Sequence, residues 1–179
     1  NIQTKRVKKN PLPPYTTSTL QQDASNKLNF GASRTMSIAQ KLYEGINIGK
    51  ETTGLITYMR TDGVQLSKES IDEIRNEISN RHGINYVPQI PRIYKSKAAN
   101  AQEAHEAIRP TSISRDPNSI SKYLDEEQKK LYELIWKRTI SSQMESAQLD
   151  ETSADISNED GSIIFRANGS QVHFQGFFI

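Results

Sequence analysis

The sequence predicts an α+β fold that is mainly α, and three observations carry that expectation. Between residues 15 and 148 apolar residues recur at helical spacing behind recognisable cap residues. From Leu149 the period shortens to β-prone runs broken by Asp160-Gly161 and Asn168-Gly169, both turn dipeptides. Residues 2–9 alternate weakly, as an edge strand does. The chain therefore divides into a leading segment and connector (1–14), a helical domain (15–148) and an antiparallel meander (149–179).

Taken in order, Pro11, Pro13 and Pro14 end the first strand and make an extended connector. Ser18 and Gln21 have capping-box spacing, and Leu20, Ala24 and Leu28 fall on one face of the helix that follows. Phe30-Gly31 is a turn; Ser33 caps a second helix whose stripe is Thr35, Ile38, Leu42 and Ile46. Two helices joined by a short glycine-containing turn make a helix-turn-helix candidate, though on the residues alone an ordinary helical hairpin is the better reading. Asn47–Thr53 reads as a loop. After the Asp62-Gly63 turn, Ser67 caps a helix with Ile71, Ile74 and Ile78 on its buried face, ending at His82-Gly83. Residues 84–97, with Pro88 and Pro91, make an irregular crossing. Ala98–Ile108 has high helix propensity and is stopped by Arg109-Pro110; Pro117 marks another loop. Asp125 and Gln128 then open the longest helix, carrying Leu131, Leu134, Ile135 and Ile140, with Trp136 nearby. Thr152–Ile156, Ser162–Ala167 and Gln171–Phe174 are the strands of the meander.

Composition closes off several function classes. Of the 179 residues, 34% are apolar and 25% charged, a folded protein on the polar side. No run approaches the ~18 apolar residues of a membrane helix. With no cysteine there is no disulfide, thiolate zinc site or cysteine nucleophile, which fits a reducing compartment. A net charge of +2 is too balanced to demand nucleic acid, although Lys5-Arg-Val-Lys-Lys9 is locally basic and residues 149–160 are acidic. A chain running from Asn1 to Gln175-Gly-Phe-Phe-Ile179, without an export leader, reads as an excised piece of something longer.

The chemistry concentrates in Gly54-Leu-Ile-Thr-Tyr58-Met-Arg60-Thr-Asp62-Gly63. In an extended run Ile56, Tyr58 and Arg60 project to one side and Leu55, Thr57 and Met59 to the other, setting a phenol beside a fixed positive charge. Spacing alone also allows Tyr58 to be half-buried packing with its hydroxyl bonded.

This block resembles the type IA DNA topoisomerases of bacteria. Three others are similar to the same family in the same order: Tyr15-Thr-Thr-Ser-Thr-Leu-Gln-Gln-Asp-Ala24, Met36-Ser-Ile-Ala-Gln-Lys-Leu-Tyr-Glu44 and Ala101-Gln-Glu-Ala-His105-Glu-Ala-Ile-Arg109-Pro-Thr. The resemblance implies a helical domain inserted into a β-rich arch, with residues 1–14 and 149–179 as arch segments. It implies that Tyr58 attacks a phosphodiester of single-stranded DNA, forming a 5′-phosphotyrosine and freeing a 3′-hydroxyl. The exchange of one phosphodiester for another needs no ATP. A phenol, with a pKa of about 10, is a weak nucleophile unless its proton is taken up elsewhere. Arg60 would stabilise charge on the phosphate oxygens, and His105 would hold a phosphate or relay a proton. Thr57, Asp62 and Arg109 are further DNA-contact candidates, Asp62 by orienting Arg60 or His105.

Gly63 stands where the family usually has serine, so no hydroxyl contact carries over at that position. The family's magnesium ion is bound by acidic residues of a Toprim domain, and no Asp-x-Asp-x-Glu pattern occurs here. His105-Glu106 is not a zinc-protease signature, since position 109 is arginine. The implied partners are single-stranded DNA, the Toprim domain and the remaining domains of the parent chain, with no membrane, in the bacterial cytoplasm near the nucleoid. Alone, the chain would hold half an active site and not relax DNA. The rival expectations are a helix-turn-helix nucleic-acid-binding module built on residues 18–44, without chemistry, and a protein-interaction domain.

Overall fold

The computed structural model describes residues 1–95 and 106–179. Its elements are β1 (Ile2–Lys9), α1 (Thr17–Leu28), α2 (Ala32–Glu44), β2 (Ile46–Asn47), β3 (Thr52–Thr53), α3 (Lys68–His82), α4 (Pro117–Ile120), α5 (Glu126–Ser142), β4 (Ala147–Ser157) and β5 (Ile164–Phe174). Helices and sheet are both present, as an α+β fold requires.

The helices pack around one apolar cluster. Leu20 and Ala24 of α1, Ile38 and Leu42 of α2, Ile74 and Ile78 of α3 and Leu131, Ile135 and Trp136 of α5 meet there. Each stripe comes from the 3.6-residue period that marks its helix in sequence. Local chemistry sets the ends of α3 and α5. The Ser67 hydroxyl accepts from the Ser70 amide, and Gly83 closes α3 at φ +93°. Asp125 and Gln128 form the reciprocal cap of α5.

Two other starts differ from expectation. The capping box of α1 is Thr16 with Thr19 rather than Ser18 with Gln21. Four consecutive hydroxyl residues offer several registers, and the Thr17 amide bond to the Thr61 carbonyl, 2.9 Å, selects one. α2 begins at Gly31, not Ser33, and has no side-chain cap. Asn29, at φ +57°, ends α1, and buried Phe30 anchors the chain, so only a two-residue link remains.

Further corrections concern loops. Residues 47–53 include a small hairpin, Ile46 paired with Thr53 and Asn47 with Thr52. Pro117 opens a helical turn capped by Asp116 instead of lying in a loop. Most of the expected Ala98–Ile108 helix lies outside the described residues. Its last part is extended, because Glu106 bridges to Gln65 and Ile108 to Tyr15.

The sheet has the order β1-β4-β5, all antiparallel, with β4 central. Asp160-Gly161 forms the expected turn, with Gly161 at φ +71°. Asn168-Gly169 does not turn: it stays in β5 opposite Ser153 and Thr152. Neither residue takes the positive φ a tight hairpin turn needs, and β4 supplies an unbroken partner along its length. The expected third strand is therefore the second half of β5. Pairing of Lys9 with Ala147 brings the two ends of the helical segment together.

Candidate active site

Tyr58 lies on a bent segment, not a regular strand. Ile56 makes one isolated bridge, to Pro110, and the chain bends through Thr57, Met59 and Arg60. Alternation survives only in part. Tyr58, Arg60 and Asp62 face solvent while Met59 and Thr61 are buried. Ile56, expected beside Tyr58 and Arg60, is instead 1% exposed; the bend at Thr57 separates it from the outward set.

Two sets of hydrogen bonds hold this segment. On the upstream side, the Leu55 amide donates to the Leu42 carbonyl at 2.7 Å and the Thr111 amide to the Leu55 carbonyl at 3.0 Å. Gly54 permits that approach to α2: a Cβ there would lie 2.6 Å from the Tyr43 carbonyl oxygen. The Thr57 amide donates to the Arg109 carbonyl, while its hydroxyl donates to the Ala107 carbonyl at 2.7 Å and accepts from the Arg109 amide at 3.0 Å. On the downstream side, the Thr17 hydroxyl donates to the Met59 carbonyl at 2.7 Å and accepts from the Thr61 amide at 2.9 Å. Tyr58 sits between the two anchorages, 46% exposed, its ring edge-on to Tyr43 at 5.3 Å. An exposed phenol on a fixed backbone is what an attacking oxygen requires.

Arg60 is exposed and makes no ion pair among the described residues; Asp62 is exposed and makes none with Arg60. Both flank a shallow depression with Thr17, Ser18, Gln21 and Thr61. Arg109 is placed differently. Its side chain is 15% exposed and donates twice to Glu106 Oε2, at 3.2 and 2.8 Å, and once to the Pro110 carbonyl. That leaves little of the guanidinium for a phosphate. Glu106 Oε1 also accepts from the Ser67 amide, joining the segment to the start of α3. Thr57 and Arg109, read as DNA contacts, are thus bound into the scaffold beneath Tyr58. His105 lies outside the described residues. No group of three His, Asp or Glu able to hold a metal ion occurs among the described residues.

Thr17 and Glu106 lay inside the blocks quoted from the sequence but carried no assigned role there. Their partners are 42 to 44 and 39 residues away, beyond any local pattern.

The DNA topoisomerase family model matches residues 1–179. The chain belongs to that family. It is 56% identical to DNA topoisomerase 1 of Rickettsia bellii and 52% identical to that of Xylella fastidiosa, over 99% of its own length in both cases. It spans about a fifth of those relatives, 22% of each. It also superposes on full-length topoisomerase I from Thermotoga maritima with a TM-score of 0.87 and 41% identity, covering 99% of this chain and 28% of that one.

Proposed function

We propose that this chain is the tyrosine-bearing segment of a type IA DNA topoisomerase, which relaxes negative supercoils by passing one strand through an enzyme-bridged break in another. The phenolic oxygen of Tyr58 attacks a backbone phosphorus of single-stranded DNA. The new O–P bond displaces the 3′ oxygen, which takes up a proton as the phenol loses one; resealing reverses both transfers. Arg60 meets the charge gathering on the non-bridging oxygens, where a planar guanidinium can contact two at once. Asp62 lines the same depression as Arg60 without bonding to it and faces the DNA from there. Thr57 and Arg109 serve from beneath, by holding the backbone, and His105 takes the proton-relay or phosphate role that the family resemblance implies.

The observation that carries this reading is the placement of Tyr58: half-exposed, on backbone anchored on both flanks, with Arg60 facing outward two residues on. Among the described residues no group of three His, Asp or Glu comes together, and the family resemblance puts the magnesium ion in the Toprim domain. Its ligands, the Toprim half of the active site and the rest of the arch belong to other parts of a longer chain, and this segment alone does not relax plasmid DNA. The helical body is the inserted domain, and residues 1–14 and 149–179 are its arch segments.

The test is covalent trapping. A full-length chain carrying this segment, incubated with labelled single-stranded DNA and denatured, should yield a protein–DNA adduct. Tyr58→Phe should abolish it, and an undiminished adduct would remove Tyr58 from the role.

A further inference from the structure

Thr17 is the first residue of α1, yet its side chain plays no part in capping that helix, a task Thr16 and Thr19 complete between themselves. Its hydroxyl instead reaches 42 and 44 residues along the chain. It donates to the Met59 carbonyl at 2.7 Å, approaches the Thr61 carbonyl at 3.1 Å and accepts from the Thr61 amide at 2.9 Å. One oxygen therefore bridges the peptide groups on both sides of Arg60. Met59 and Thr61 are themselves buried, 1% and 9% exposed, so the main chain is held on both sides of Arg60. β-Branching limits the χ1 choices of Thr17, which narrows the positions its hydroxyl can take.

We propose that Thr17 is a positioning residue: its hydroxyl sets the backbone between Tyr58 and Arg60, so that phenol and guanidinium meet the same phosphate. The proposal rests on the reading of Tyr58 as nucleophile. Thr17 acts through Met59 and Thr61, the residues whose main-chain groups its hydroxyl bonds. Its contribution is geometric, and small misplacements of reacting groups cost up to about 100-fold in rate.

The structure separates this role from folding. The Thr17 amide donates to the Thr61 carbonyl at 2.9 Å through the main chain, and no substitution removes that bond except proline. The helix cap uses Thr16 and Thr19 alone. Thr17→Val keeps the shape and removes only the hydroxyl; Thr17→Ser keeps the hydroxyl and removes the methyl.

The experiment uses the full-length chain and single-turnover cleavage of a labelled single-stranded oligonucleotide, with Tyr58→Phe in parallel. Thr17→Val should slow adduct formation about 10- to 100-fold, with Kd for the uncleaved strand, measured in the Tyr58→Phe background, changed less than about twofold. Thr17→Ser should recover the rate to within about threefold. Thr17→Val cleaving at the unaltered rate would overturn the proposal, as would equal loss in both variants or a loss confined to Kd. Unfolding of Thr17→Val at the assay temperature would also overturn it, in favour of a purely structural role. An adduct surviving in Tyr58→Phe would instead refute the nucleophile assignment, a failure distinct from any of these.

Discussion

The helical body and the three-stranded sheet belong to one chain but settle the burial of apolar surface in opposite ways. In the body, α1, α2, α3 and α5 close on a shared cluster in which Leu20, Leu42, Ile78, Leu131 and Ile135 are fully buried. In the sheet, no residue of β5 is buried, and in β4 only Ala147 is. Ile156 and Phe165 pair across the strands and are 61% and 69% exposed. The sheet is held by its ladder and by cross-strand pairs such as Arg6 with Asp150 and Arg166 with Asp155. Among the described residues, the hydrogen-bonded anchors of the Tyr58 segment all come from the body, at residues 17, 42, 107, 109 and 111. The sheet contributes at a distance, by returning the ends of the body to one place.

The sharpest way to break this comparison is truncation on each side. Leu42→Ala or Ile78→Ala should destabilise the chain by about 2–5 kcal/mol, the transfer loss plus the cavity left in a core that collapses only partly. Phe165→Ala should shift stability by no more than about 0.5 kcal/mol, as exposed positions do. Denaturant unfolding of the isolated chain measures both. A large loss at Phe165 would mean that the sheet has a buried face after all.

A second contrast lies in alkaline solution. Burial raises the Tyr15 phenol well above its ordinary value, with the hydrogen bond to Asp23 adding to it and the nearby Arg138 opposing. Burial likewise raises Tyr132, whose hydroxyl donates to the Arg115 carbonyl at 2.7 Å. A raised folded value means the proton is held more tightly in the native state. The stabilisation is complete below the unfolded tyrosine pKa of about 10 and is lost as pH rises through the folded value. The body should therefore unfold above pH ~10, followed by circular dichroism, and Tyr15→Phe should move that transition upward. The three strands contain no tyrosine, so the sheet adds no tyrosine of its own to that transition.

What the sequence disclosed divides along similar lines. Ser67 and Asp125 were readable as caps because the cap, the residue three positions on and the apolar stripe are all local. Ser33 and Ser18 satisfied the same local rule and were passed over, because Phe30 and the Thr61 carbonyl fix those helix starts from elsewhere. Asn168-Gly169 has turn chemistry without a turn, since the long partner strand outweighs dipeptide preference. At the site, spacing suggested Tyr58 and Arg60 on one face, but family resemblance gave the pair its chemistry. The strand geometry behind that spacing failed at Ile56, where the chain bends into the core. Thr17 was invisible for a different reason: nothing within a helix's length of it shows that its hydroxyl belongs to a segment forty residues on.

The smallest effect belongs to the cross-strand ion pairs. Arg6 donates to both oxygens of Asp150, at 2.9 and 3.1 Å, and this hydrogen bonding holds the Asp150 carboxyl below its ordinary value. A depressed folded value gives stabilisation that is present above the unfolded carboxylate pKa of about 3.9 and lost as pH falls through the folded value. Both side chains are open to water, where screening and side-chain entropy consume most of the attraction. Arg6→Gln should therefore speed amide exchange in β1 and β4 slightly in dilute buffer, leave α3 and α5 unchanged, and lose its effect near 1 M salt, where the Debye length is about 3 Å. Exchange that quickened equally in the helices would mean that sheet and body open as one unit, and the division between a self-sufficient body and a dependent sheet would fail.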